Sequence, residues 1–212
     1  MTTWAIVPVK PFNRSKSRLS AILDIRQRES LSRKMLEQTL RTLNKADNIS
    51  GILVISRDSK ALAFARQFDA QTVQESGAPA LNDALTRATQ VVASWNAESV
   101  LILAADIPLM TLDDLNGMLA LADEPEVVVI ASDRHDDGTN ALLVRPPTLI
   151  PYRFGTHSFQ QHIAEALEIG AALRVYESPT LGLDVDVPDD FELYKDILAQ
   201  RKLNELSWLG SL

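Results

Sequence analysis

Residues 4–19 read WAIVPVKPFNRSKSRL. An apolar run of strand composition comes first, and a short basic loop follows it, with no acidic residue before Asp24. The loop carries four cations, Lys10, Arg14, Lys16 and Arg18. Clustered cations at a strand end repel one another unless an anion or solvent compensates them, and a following helix N-terminus adds N–H donors. The pattern is typical of a phosphate site, although a solvated basic loop has the same spacing.

The overall composition limits the class of protein. A length of 212 residues, 46% hydrophobic and 23% charged, predicts one globular domain over residues 1–212. The net charge of -7 argues against nucleic acid as a partner. Cysteine is absent, which excludes disulfides and cysteine-ligated metals. Because no apolar run reaches the roughly 20 residues of a membrane span and no signal peptide is visible, we expect a cytoplasmic protein without membrane contact.

Short β-branched runs alternate with segments of helical period, which predicts an α/β fold with a mainly parallel, mixed central sheet between helices. The predicted strands are residues 4–9, 52–56, 70–73, 100–104, 127–131, 141–144 and 173–177. The predicted helices are residues 26–46, 59–68, 80–95, 112–122, 158–169 and 190–200. Asp58 and Thr111 stand at N-cap positions, and Thr111 with Asp114 forms a weakened capping box. The apolar C-terminal tail, residues 201–212, favours docking on the core or a homodimer.

Acidic side chains follow two later strands. Ligands of open α/β sheets bind outside the carboxyl ends of the strands, where Asp106 projects after residues 100–104. In LDVDV, strict alternation puts Asp184 and Asp186 on one face if the segment is extended. Two adjacent carboxylates favour a divalent cation, because without one they destabilise each other. The alternatives are a helix cap for Asp106 and an ordinary exposed strand face for the other two.

A basic loop and acidic strand ends together suit transfer chemistry on a nucleoside triphosphate with Mg²⁺. The Walker pattern GxxxxGK[ST] and the pattern GxGxxG are both absent, which argues against P-loop ATPases and Rossmann dehydrogenases. His157 and His162 are five residues apart and do not have the spacing of a zinc pair on a helix. His162 is therefore expected to be a surface histidine or one with satisfied hydrogen bonds.

Six segments occur in an order that resembles a known family. They are WAIVPVKPFNRSKSRL, ALNDAL, LAADIPLMT, DGTNALLVRPP, FGTHSFQQHIAEA and LGLDVDVPDDF. In this order they resemble the CofC/FbiD guanylyltransferases of coenzyme F-420 biosynthesis, over nearly the whole chain up to the last helix. The resemblance implies a single-domain nucleotidyltransferase fold of the nucleotide-diphospho-sugar transferase-like type. The first loop has no glycine, so side-chain cations must bind more of the phosphate than in the related sugar enzymes.

The resemblance implies that GTP is joined to a small phosphorylated carboxylic acid with release of pyrophosphate. A downstream transferase would then accept the guanosine diphospho-acid. Lys10, Lys16 and Arg18 would neutralise the triphosphate and the leaving pyrophosphate, with Arg14 also near the nucleotide. Asn82 would lie near the base or ribose, unless it only forms a turn or cap.

The same resemblance assigns magnesium to Asp106 with one or both of Asp184 and Asp186. Thr139, Gly155 and Ser158 would bind the acid as a small neutral anion cradle, although Gly155 could be a simple turn and Ser158 a simple N-cap. Phosphoenolpyruvate is the preferred acid, with 2-phospho-L-lactate and 3-phospho-D-glycerate as alternatives.

Two other functions remain open at this point. One is a related transferase of the cytidylyltransferase, molybdenum cofactor guanylyltransferase or DxD glycosyltransferase type. The other is a non-catalytic nucleotide-binding subunit.

Overall fold

The described part of the chain, residues 2–76 and 80–201 of a computed structural model, contains one seven-stranded sheet. Its strands are β1 (Thr3–Val9), β2 (Ile49–Ser56), β3 (Gln71–Gln74), β4 (Ser99–Leu103), β5 (Val127–Ser132), β6 (Thr139–Arg145) and β7 (Ala172–Val175). Their spatial order is β3-β2-β1-β4-β6-β5-β7. Strand β6 runs antiparallel to β4 and β5, and the other neighbouring pairs are parallel. The prediction of a mainly parallel, mixed sheet is confirmed.

The helices cover both faces of this sheet. They are α1 (Ile25–Leu43), α2 (Ser59–Ala65), α3 (Leu81–Ser94), α4 (Leu112–Ala120), α5 (Ser158–Glu168) and α6 (Pro188–Arg201). The core on one face contains α1, α2 and α4, whereas the core on the other contains α3 and α5. Because both faces are covered, the central strands are apolar along their length, as in the fully buried SVLIL of β4.

Capping side chains explain where several helices begin. As expected, the Asp58 carboxylate accepts from the backbone N–H of Lys60 before α2, and Thr111 forms a complete capping box with Asp114 before α4. A second complete box, Asp24 with Gln27, precedes α1 and was not predicted. It marks the end of the basic loop, which folds into two short 3₁₀ turns, residues 12–14 and 17–21, before α1 starts.

The strand directions bring distant loops to one edge of the sheet. The carboxyl ends of β1, β2, β3 and β4 lie at this edge because these strands are mutually parallel. Since β6 is antiparallel to β4, its first residue, Thr139, lies at the same edge. Among the described helices, none is long and apolar enough to cross a membrane. The apolar tail on which the homodimer prediction depends lies outside the described residues from residue 202 onward.

Candidate active site

A cavity of about 540 Å³ opens at this edge of the sheet, a volume within the range of small-molecule sites. The residues proposed from sequence that line it are Lys10, Lys16, Asp106, Thr139, Gly155, Ser158, Asp184 and Asp186. The basic loop, the acidic strand ends and the acid cradle therefore share one cavity. The three other proposed residues, Arg14, Arg18 and Asn82, are not among the described residues that line it.

Lys16 is the most buried cation of the basic loop. Its side chain is only 5% exposed, and its backbone is left-handed, with φ 54°. The ammonium nitrogen Nζ lies 2.6 Å from Asp106 Oδ2 and 2.9 Å from Asp186 Oδ1. Burial opposes the charge on Lys16, but the two carboxylates outweigh it and raise its pKa. The description as a solvated basic loop therefore does not apply to Lys16.

The three carboxylates meet because the segment around Asp184 is attached to the end of β4. The Val185 backbone N–H donates to the Asp106 carbonyl at 3.2 Å. Leu183 and Val185 are buried, whereas Asp184 and Asp186 are partly exposed on the cavity side. The predicted alternation is thus seen in the burial of these residues, although the segment lies outside the seven-stranded sheet and Val187 is also partly exposed.

The electrostatics of this carboxylate cluster suit a cation. Burial, and then the neighbouring charges of Asp106 and Asp186, raise the pKa of Asp184 to about 6. Lys16 lowers the pKa of Asp186 against the effect of burial. Carboxylate oxygens are the hard ligands that Mg²⁺ prefers, so the donor chemistry fits this ion. Within residues 2–76 and 80–201, however, no three such side chains are arranged to hold a metal; the ammonium of Lys16 lies between two of the carboxylates.

The remaining loop cations are exposed. Lys10 lines the cavity and lies close enough to Asp186 to contribute to its lowered pKa. Arg18 is 73% exposed, with its Nη1 4.0 Å from Asp186 Oδ2. Arg14 is exposed and is not a lining residue in the described part of the cavity. Of the three cations, Lys10 lines the cavity, whereas Arg18 approaches Asp186 to 4.0 Å without being a lining residue of the described cavity.

The proposed acid-binding residues also line the cavity, and Thr139 begins β6, the neighbour of β4 in the sheet. Thr139 and Ser158 are buried, 7% and 2% exposed. Gly155 has φ +138°, a backbone conformation that side chains with a Cβ rarely adopt. Ser158 is the first residue of α5 and not its N-cap; the N-cap position is held by His157, whose side chain makes no capping bond. The alternative of Ser158 as a simple N-cap was wrong, and its hydroxyl is left at a helix N-terminus.

Asn82 was expected near the base or ribose of the nucleotide, but its side chain is bonded to another part of the backbone. Its carboxamide is bonded twice to the backbone of Phe154: Oδ1 accepts from the N–H at 2.8 Å and Nδ2 donates to the carbonyl at 3.1 Å. These bonds join the first turn of α3 to the segment just before Gly155. The amide is thus occupied by a contact between distant segments, which is not the turn or cap offered as the alternative, since the N-cap of α3 is Ala80.

Sequence reasoning missed three charged residues that line the cavity. Arg57 and Glu75 directly follow β2 and β3. The strand-end rule, applied to these two strands, would have found both. Asp133 follows β5, and its carboxylate accepts from the backbone N–H groups of His135, Asp137 and Gly138. It therefore organises the loop that leads into Thr139.

Solved structures identify the fold. The chain is similar to a structure assigned as a nucleotide-diphospho-sugar transferase from Desulfovibrio desulfuricans, with TM-score 0.77 and 15% identity over 98% of this chain and 90% of that one. It is also similar to a nucleotidyl transferase from Methanothermobacter thermautotrophicus, with TM-score 0.69 and 15% identity over 94% and 99%. The fold is that of the nucleotide-diphospho-sugar transferase-like nucleotidyltransferases.

Sequence relatives narrow this class. The family model of CofC-like guanylyl transferases matches residues 3–198, and the chain belongs to this family. It is 38% identical over 190 residues to a phosphoenolpyruvate guanylyltransferase from Rubrobacter xylanophilus, covering 90% of this chain and 92% of the relative. It is 34% identical over 203 residues to one from Conexibacter woesei, covering 95% and 91%. A 2-phospho-L-lactate guanylyltransferase from M. thermautotrophicus is 37% identical, covering 90% and 82%. The chain is therefore a nucleotidyltransferase of the guanylyltransferase type, and the resemblance inferred from its motifs is confirmed.

Proposed function

We propose that this chain joins GTP to phosphoenolpyruvate and releases pyrophosphate, in the biosynthesis of coenzyme F-420 that the family implies. The observation that carries the proposal is the single cavity, whose lining combines cations and carboxylates with a neutral anion cradle. Such a lining suits a triphosphate beside the charged residues and a small phosphorylated acid at the cradle. The curated relatives named for phosphoenolpyruvate support this acid.

At the nucleotide end, Lys10 and Lys16 carry the charge that a triphosphate requires, and Arg18 adds to it from the rim. Guanine offers acceptors at O6 and N7 and donors at N1–H and the 2-amino group. Arg57 and Glu75 line the cavity at the ends of β2 and β3 and have the complementary groups. We assign the base to these two residues in place of Asn82.

At the acid end, the Thr139 and Ser158 hydroxyls and the Gly155 backbone N–H form a cradle of neutral donors. Neutral donors can bind an anion through hydrogen bonds without forming an ion pair. The N-terminus of α5 favours a negatively charged ligand group beside Ser158. The cradle would hold the carboxylate of the acid and leave its phosphate directed toward the nucleotide.

The chemistry is an in-line displacement at the α-phosphorus of GTP. A phosphate oxygen of the acid forms a bond to this phosphorus, while the bond to the bridging oxygen of the β-phosphate breaks and pyrophosphate leaves with the electron pair. The attacking oxygen is already anionic, so no side chain has to remove a proton. The lysines stabilise the charge that accumulates on the leaving group.

Asp106 with one or both of Asp184 and Asp186 would hold Mg²⁺; in the described residues Lys16 lies between Asp106 and Asp186, and the three carboxylates are not arranged around a common ion. When bound, the ion would supply positive charge that neutralises the phosphates of the nucleotide. Lys16 would then contact phosphate oxygens as well as carboxylates, because all these groups lie at the same end of the cavity.

The test is pyrophosphate release from GTP, CTP and UTP, each with the three acids, with and without Mg²⁺. Mass spectrometry of the product when the three acids compete identifies the acceptor. We expect release with GTP, the guanosine diphospho-phosphoenolpyruvate product and a requirement for Mg²⁺. Faster release with CTP or UTP would overturn the assignment of GTP as the nucleotide. A different dominant product would overturn the choice of phosphoenolpyruvate as the acid. Full activity in the presence of a chelator would overturn the requirement for Mg²⁺.

A further inference from the structure

His162 is a completely buried histidine next to the acid cradle. Its exposure is 0%, although it lies on α5 only one turn after Ser158. Its ring is within hydrogen-bond distance of Thr139 and of the segment before Gly155, and it packs edge-on against Phe154 with 4.8 Å between ring centroids. Thr139 therefore contacts the ring directly, and the ring is bonded to the backbone two residues before Gly155.

The hydrogen bonds of the ring determine which nitrogen carries the proton. The backbone N–H of Arg153 points at Nε2 from 2.9 Å. A backbone N–H can only donate, so Nε2 must be the acceptor and carry no hydrogen. Nδ1 lies 3.0 Å from Thr139 Oγ1. A neutral imidazole has one N–H, and in this site it is on Nδ1.

The protonation state agrees with this geometry. Burial lowers the pKa of His162 to about 4, while the Ser158 carbonyl and the Glu165 charge raise it and the Arg153 charge lowers it further. These are the groups that face the ring, and burial outweighs the others. The ring is neutral near pH 7, as required for an acceptor at Nε2.

We propose that His162 is a positioning residue that fixes the direction of the Thr139 hydroxyl proton. Because Nδ1 carries a hydrogen, the Thr139 oxygen cannot donate to the ring and can only accept from it. The hydroxyl proton of Thr139 is then directed away from His162, into the cavity that this residue lines. There it can donate to an anionic oxygen of the acid. At its other nitrogen, the same ring holds the backbone that leads to Gly155 in place.

This inference rests on the proposed function, since it assumes that Thr139 contacts the acid. A hydrogen bond to a charged group is among the stronger hydrogen bonds in proteins, so loss of the oriented proton should lower kcat/KM for the acid about tenfold or more. The KM for GTP should change little, because the nucleotide end is formed by other residues.

The first experiment needs no activity and uses the wild-type chain. The ¹⁵N chemical shifts of the two ring nitrogens of His162 distinguish the tautomers by NMR at pH 7. We expect a protonated Nδ1 and an unprotonated Nε2. A protonated Nε2, or a charged ring, would overturn the proposal whether or not the enzyme acts on phosphoenolpyruvate.

The second experiment is a double-mutant cycle with His162→Gln and Thr139→Val. A glutamine can still accept from the Arg153 N–H but has no group fixed at the Nδ1 position, whereas His162→Asn keeps a donor there. We expect His162→Gln to lose kcat/KM for the acid, His162→Asn to lose less, and His162→Gln to add nothing in the Thr139→Val background. If the losses of kcat/KM caused by the two substitutions multiply in the double variant, the positioning role would be overturned. If Thr139→Val alone left the acid KM unchanged, the assignment of Thr139 in the proposed function would fail instead.

Discussion

Replacing Lys16 with methionine tests the electrostatic account of the carboxylate cluster. Methionine has a similar unbranched length, so Lys16→Met removes the charge with little change in packing. The wild-type ammonium nitrogen lies 2.6 Å and 2.9 Å from the carboxylates of Asp106 and Asp186. After the substitution, these two groups and Asp184 face one another without the buried cation, and the folded state should become less stable.

The magnitude follows from burial. Removing one partner of a fully buried ion pair costs about 3–5 kcal/mol, whereas exposed pairs contribute about 0–1 kcal/mol. Lys16 is buried, but the side chains of Asp106 and Asp186 are 31% and 37% exposed, so water can solvate them once the cation has gone. We therefore expect a loss of about 2 kcal/mol in the free energy of unfolding at pH 8.

The loss should depend on pH. The pKa of Asp184 is already raised from 3.8 to about 6, and Lys16 is a cause that lowers it; without Lys16 it must rise further. An acid whose folded pKa is raised binds a proton in the folded state before the unfolded state does, so it adds stability as the pH falls through that folded pKa. The difference between wild type and Lys16→Met should therefore be largest at pH 8 and smaller at pH 5.

The assay is urea unfolding in a chelating buffer at pH 8 and pH 5, with two-state analysis of the transition. Lys45→Met is the matched control, because Lys45 is exposed and its replacement should change stability by less than about 0.5 kcal/mol. A Lys16→Met difference as small as that of the control at pH 8, or one equally large at pH 5, would refute the reasoning.

Three further predictions concern other parts of the cavity. Lys10→Ala should raise the KM for GTP in steady-state kinetics several times more than Arg14→Ala does, because Lys10 lines the described cavity and Arg14 does not. Glu75→Gln should reduce the preference for GTP over ITP, which lacks the 2-amino group, measured as a ratio of kcat/KM; an unchanged ratio would remove Glu75 from base recognition. The pKa of His162 is lowered from 6.5 to about 4, so the unfolded chain takes up this proton first and the wild type loses stability as the pH falls from 6.5 toward 4. His162→Gln should lack this pH-dependent loss of stability, which is about 3 kcal/mol at 1.36 kcal/mol per pKa unit. Urea titrations over this pH range measure it, and equal losses of stability in both proteins would contradict the buried, neutral ring.

The pattern of the chain was enough to predict most of the fold. Apolar strand runs and helical periods are local signals, and the seven strands and six helices found in the described residues all overlap predicted ones. One of the larger differences, three residues, is in the first helix, which was expected over residues 26–46 and ends at Leu43. Residues 44–46 form a turn closed by backbone hydrogen bonds such as that from Ala46 N–H to the Leu43 carbonyl, a boundary that propensity does not define.

The candidate site was only partly predictable. The strand-end rule found Asp106, because its position depends on the strand before it and not on its partners. His162 was expected to be a surface histidine or a satisfied one; it is satisfied, and the alternative of a surface residue was wrong. Nothing in its own sequence neighbourhood distinguishes these cases, since the residues it contacts are on β6 and in the loop before Gly155. Arg57 and Glu75 could have been found by the same strand-end rule.

The sequence by itself determined the α/β class, the guanylyltransferase family and the residues around which a phosphate site could form. These follow from local composition and from the order of motifs along the chain. Only the tertiary structure decided that Lys16 lies between Asp106 and Asp186, which are 90 and 170 residues away, and that Thr139 lies at the same edge as the cations. The physical reason is strand direction: parallel β1 and β4 and antiparallel β6 bring one end of each to a common edge. Burial at that edge then determines which charged side chains form ion pairs and which hydroxyl groups can donate a hydrogen bond to a ligand.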